Sequence, residues 1–146
     1  MIQTYKNQIY FKMSQFNGKW ACTSTEGLDG VLKELNVGMI KRKIAKNLTR
    51  TVTFECTDGV TMKINNKTSI ADRSVEVKLG VSVTGESEDG RADVTSTILF
   101  EDGHLVIRKV DKKGLKEENV WLFEGDNLTH NLECDGAKVK LVYKRA

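Results

Sequence analysis

The chain has 146 residues, a net charge of +3 and 39% hydrophobic residues, enough for one domain with its own core. No run approaches the roughly 18 apolar residues of a membrane helix, and so small a positive charge does not imply a nucleic-acid partner. Three widely spaced cysteines, Cys22, Cys56 and Cys134, carry no metal or redox motif, so free thiols and no cofactor are expected.

Residues 1–12, MIQTYKNQIYFK, lack the apolar segment of a secretory signal. A cytoplasmic protein is expected, and the sequons at Asn47, Asn66 and Asn127 are read as chance. Phe16–Ser24 reads as a strand. Leu28, Val31, Leu32 and Leu35 then sit at helical spacing, and after Asn36-Val37-Gly38 the same spacing returns over MIKRKIAKNL, residues 39–48. These predict two short amphipathic helices joined by a brief turn.

The remainder alternates short strands with turn signals. Thr51–Thr57 and Val60–Asn66 flank Asp58-Gly59, and Val75, Val77 and Leu79 alternate with Glu76 and Lys78. Ala92–Phe100 and His104–Val110 flank Asp102-Gly103. Glu117–Glu124 and Asn127–Cys134 flank Gly125-Asp126, and Asp135-Gly136 leads into the last strand. There Ala137, Val139, Leu141 and Tyr143 form one face, with mostly lysines opposite. Regular turns and no proline or repeat predict one all-β domain of about ten strands, an up-and-down barrel or a sandwich.

From Met13 to Ala146 the chain resembles the intracellular lipid-binding proteins, the fatty-acid-binding and cellular retinoid-binding proteins. FNGKW at 16–20, NVGMIKRKIAKNL at 36–48, EGDNL at 124–128 and VYKRA at 142–146 carry the resemblance by their order and spacing. Gly18, Trp20, Gly27, Asp29, Val31, Leu32 and Leu35 fit the family's N-terminal signature; Cys22 and Leu28 depart from it. Residues 1–12 have no counterpart and are expected to be an extension ahead of a 13–146 domain. The resemblance implies a ten-stranded antiparallel, lipocalin-like barrel capped by a helix-turn-helix around a cavity for a fatty acid, retinoid or similar ligand.

Carried over by position, Tyr143 matches the tyrosine that, with two arginines, typically holds a fatty acid's carboxylate. The arginine positions fall at Trp121 and Leu141. The two inner glutamines of the retinol-binding branch would fall there too, and its portal lysine near Val52. Without bidentate arginines, an ionised carboxylate buried at this spot would lack its usual partners. A very apolar pocket is therefore expected, lined by Trp121, Phe123, Leu132 and Leu141, with polar groups at Tyr143, His130 and Arg91. Arg91 matches a cavity-facing arginine of some members, or else is a solvated turn residue. His130 shares an inward face with Leu128, Leu132 and Cys134, as a satisfied wall histidine or, less commonly, a head-group partner. Thr68 and Ile70 match portal-side positions, and Leu28, Val31 and Leu32 would line the cavity from the first helix.

The second helix holds Lys41, Arg42, Lys43 and Lys46 with no acid. It suits transient contact with anionic membranes, or is merely a solvated face. Lys33, Arg42 and Lys43 match positions of a nuclear-import signal in some members. An enzyme is not expected: His104 and His130 lie on different strands, and no nucleophile elbow, zinc spacing or phosphate-cradling loop occurs. A monomeric carrier is the expectation, and a filled barrel used for protein binding the competitor.

Overall fold

The computed structural model describes residues 12–85 and 93–146. Arg91 and all but the last residue of the expected extension lie outside the described residues. Ten strands form one antiparallel sheet: β1 (Gly18–Glu26), β2 (Arg50–Cys56), β3 (Thr61–Thr68), β4 (Asp72–Lys78), β5 (Ser82–Gly85), β6 (Val94–Glu101), β7 (His104–Val110), β8 (Lys116–Glu124), β9 (Asn127–Cys134) and β10 (Ala137–Arg145). Their order, β4-β3-β2-β1-β10-β9-β8-β7-β6-β5, joins the first strand to the last and leaves β4 and β5 as neighbouring edges. Where the chain leaves β4 for β5, Leu79 bridges to Ile98 of β6, and the Gly80 amide donates to the Ile98 carbonyl at 2.7 Å. The result is a nearly closed barrel with a helix pair, α1 (Leu28–Glu34) and α2 (Met39–Lys46), between β1 and β2.

Turn chemistry follows the sequence closely. Asp102 (φ 53°) with Gly103 (φ 79°), and Asp135 (φ 47°) with Gly136 (φ 83°), take the left-handed pairs that two-residue hairpins require. Asp58-Gly59 opens a wider loop instead. The Asp58 carboxylate accepts from the amides of Val60 (3.0 Å) and Thr61 (2.6 Å), which draws Val60 out of the strand. These hydrogen bonds hold its pKa below the usual carboxylate range.

Phe16 is not in the first strand. The chain makes a helical turn over 12–14, the Phe16 amide bonds the Met13 carbonyl, and Met13 and Phe16 plug the interior, both fully buried. Trp20 Nε1 donates to the Phe16 carbonyl at 2.8 Å. The Arg145 guanidinium lies 4.0 Å over the Trp20 ring and donates to the carbonyls of Asn17 (2.6 Å) and Gln15 (3.0 Å). This end of the barrel is sealed.

The other end carries the helices. Gly27 (φ 78°) starts α1 so close to Lys138 that any Cβ would strike its carbonyl oxygen. That contact sets α1 against β9 and β10, with Val31 buried beneath it. Asp29 then ties the helices together, meeting Arg42 at 3.1 Å and Lys46 at 3.5 Å, while Arg42 also donates to the Val37 carbonyl at 2.8 Å.

Candidate functional site

Period-two alternation sends odd-numbered residues of β7, β8 and β10, and even-numbered residues of β2, β3, β6 and β9, into the barrel. Near the sealed end this interior is aromatic. Phe16 packs against Phe54 (5.8 Å) and Phe123 (4.8 Å between centroids). Trp121 meets Phe54 edge-on at 5.2 Å, Tyr143 at 5.4 Å, and lies flat on the His130 ring at 4.0 Å and 9°. Sequence distance is great, but register makes these contacts inevitable: Trp121 pairs with His130, His130 with Leu141, and Tyr143 with Leu128.

The inner wall is not solid throughout. Phe100, Ile107, Phe123, His130 and Leu132 are only half-buried although they point inward, and Leu132 also borders the outer face of β8–β10.

Of the other expected lining residues, Trp121, Leu141, Tyr143 and Val31 are buried, and Leu28 packs half-buried against the core. Leu32 and Thr68 are half-buried; Thr68 accepts from the amide of Ala71 in the β3–β4 turn. Ile70 is 71% exposed in that turn and stands outside the interior in this conformation. On α2, Arg42 and Lys46 are engaged with Asp29, whereas Lys41 and Lys43 are exposed.

Three interior polar residues escaped the sequence reading. Lys109, Glu117 and Asn119 occupy inward positions of β7 and β8 above His130. Lys109 Nζ lies 3.8 Å from Glu117 Oε2, Asn119 Nδ2 donates to the same oxygen at 3.0 Å, and Asn119 Oδ1 meets His130 Nε2 at 2.7 Å. The alternation that marked Trp121 and Phe123 extends back to Asn119 and Glu117, so the signal was present. Arg50, which the sequence places in the same basic run as Lys41, Arg42, Lys43 and Lys46, instead starts β2, half-buried, and donates to the Ala45 carbonyl of α2 at 3.0 Å.

Electrostatics follow from enclosure. Burial lowers the His130 pKa to about 3, and the positive charges of Lys109 and Arg50 push the same way. The imidazole is neutral at physiological pH. Burial raises the Cys22 thiol, which offers no reactive thiolate. None of the three cysteines forms a disulfide.

Among the described residues no group of histidine, cysteine and acidic side chains could hold a metal ion. A hollow of about 610 Å³ lies elsewhere, on the outer face of β8–β10, lined largely by outward residues such as Glu118, Glu133 and Lys138. Its mixed charges converge on no common point.

No family model matches the chain. It is 34% identical over 137 residues to fatty acid-binding protein homolog 6 of Caenorhabditis elegans, covering 91% of this chain and 99% of that one. Fatty acid-binding protein 5 of Pygoscelis papua is 30% identical over 140 residues, covering 90% and 96%. Among solved structures, the Schistosoma mansoni fatty acid binding protein in complex with arachidonic acid superposes with a TM-score of 0.85 at 28% identity, over 92% of this chain and 98% of that one. With a ten-stranded barrel, its helix pair and relatives matched nearly end to end, the chain belongs to the fatty-acid-binding protein family.

Proposed function

We propose that the barrel binds and carries a long-chain fatty acid or a related single-chain hydrophobic ligand, as a monomer without catalytic activity. The observation that carries this reading is the inward, partly accessible apolar wall of Phe100, Ile107, Phe123 and Leu132 in a chain similar to a protein solved with arachidonic acid. Affinity would come from apolar area. Burying about 300 Å² of hydrocarbon at roughly 25 cal/mol per Å² is worth about 7 kcal/mol before ordering costs. No salt bridge is needed for micromolar binding on that arithmetic.

Leu141 and Trp121 at the arginine positions favour a second reading, a retinoid or other neutral lipid. Delipidated protein offered oleate and retinol in competition with a fluorescent fatty acid separates the two. Displacement by oleate alone supports the first reading and by retinol alone the second. Protein that stays bare in native mass spectrometry despite added lipid indicates a filled barrel and overturns both.

Ligand exchange at a membrane is part of the same proposal. Met39 (63% exposed), Ile40 (77%) and Ile44 (45%) project from α2 beside the free cations Lys41 and Lys43, a surface that suits an anionic bilayer. Arg42 and Lys46 serve that surface less, being held by Asp29. A nuclear-import role for Lys33, Arg42 and Lys43 would need Arg42 released. Among the described residues no helix is long and apolar enough to cross a membrane, and a cytoplasmic location accords with the proposed role.

A further inference from the structure

The polar row that ends at His130 has a fixed direction. Glu117 Oε2 faces Lys109 Nζ at 3.8 Å and Asn119 at 3.0 Å, so Asn119 must present its amino group there. The reverse amide orientation would set two oxygens against each other with no proton between them. Asn119 therefore turns Oδ1 toward His130, and the 2.7 Å contact needs a donor. His130 Nε2 carries the hydrogen. In the neutral ring the other nitrogen then has none, and Nδ1 is left as an acceptor to which no described residue donates.

That unanswered acceptor belongs to an inward-facing, half-buried ring stacked on Trp121 inside the barrel. Leaving it bare is costly in a site without bulk water. An ionised carboxylate brings only further acceptors to it. Of the nearby cations, Lys109 pairs with Glu117 and Arg50 gives one of its N–H groups to the Ala45 carbonyl, and no bond from either to Nδ1 is seen among the described residues. A hydroxyl supplies the missing proton.

We propose that His130 Nδ1 is the head-group acceptor of this barrel and that it selects long-chain lipids whose polar end is a hydroxyl, such as fatty alcohols. The inference rests on the carrier reading above and narrows it to a ligand class. The trapped proton donor would then complete a continuous row: ligand O–H to His130, His130 to Asn119, Asn119 to Glu117.

The test removes one hydrogen. Displacement of anilinonaphthalene sulfonate from delipidated protein is measured with 1-tetradecanol, its methyl ether and tetradecanoate. The alcohol should bind about tenfold tighter than the ether, a single satisfied buried acceptor. In His130→Phe, which keeps a ring on Trp121, the difference should fall below about twofold. Equal binding of alcohol and ether, with tetradecanoate binding as well, overturns the inference and leaves the carrier reading standing; no binding by any of the three overturns both. Should His130→Phe fail to fold, nitrogen NMR of the wild-type histidines decides, with His104→Gln to assign the two. Nδ1 should be the unprotonated nitrogen and shift on adding the alcohol but not the ether. A protonated Nδ1 refutes the proposal.

Discussion

His130→Phe should flatten the acid side of the stability curve. His130 titrates near 6.5 when unfolded and at about 3 when folded. Between those values the unfolded chain binds a proton that the folded chain refuses, so stability falls as pH drops through the window. At 1.36 kcal/mol per unit the full span is at most about 5 kcal/mol. Between pH 6 and 4.5 the loss works out at about 2 kcal/mol. Urea unfolding of both proteins from pH 7.5 to 4.5 measures it. Carboxylates common to both cancel in the difference, and the constant cost of leaving Asn119 Oδ1 without its donor appears as an offset, not a slope. A wild-type-minus-variant difference that stays flat across this range would mean the ring is protonated in the folded state or open to water, and the reasoning fails.

Gly27→Ala should cost ~3 kcal/mol or more in denaturant, because its Cβ meets the Lys138 carbonyl in a left-handed backbone. Gly30→Ala in α1, with nothing within 4 Å, should instead gain about 0.5–1 kcal/mol. Arg145→Ala removes a cation over Trp20 and two carbonyl contacts and should lower stability by about 1–2 kcal/mol; an unchanged urea midpoint speaks against the seal at that end. Leu141→Arg, with Tyr143 intact, should raise fatty-acid affinity about tenfold in the displacement assay, and no gain in a folded variant places the head group elsewhere. Lys41→Glu with Lys43→Glu should slow ligand transfer to anionic vesicles severalfold and leave transfer to neutral vesicles alone.

Alternation made most of the wall readable, because a strand between core and water must repeat every two residues. β5 left no such trace: Ser82, Val83, Thr84 and Gly85 are all exposed, so neither face had a reason to be apolar. Phe16 misled for the opposite reason, an apolar residue beside a true strand that serves as a plug before it. The inward company of Trp121, His130, Leu141 and Tyr143 followed from period and pairing. The same period also turned Lys109, Glu117 and Asn119 inward, but polar side chains on an inward face are read as lining only once their partners on the next strand are known. The charge run of α2 likewise gave no hint that Asp29, ten or more residues earlier, would claim Arg42 and Lys46.

Mechanically the wall is a slit tube. A closed cylinder resists twisting because shear runs around its whole circumference, and one lengthwise cut removes most of that stiffness. Here the cut runs between β4 and β5, the two ends of the strand order, with ladders joining the other neighbouring strands. The β4 lip is guarded against foreign strands by Asp72, Arg73, Glu76 and Lys78. A tube built this way yields to torsion first along that line, with the ladders between the other strands left intact.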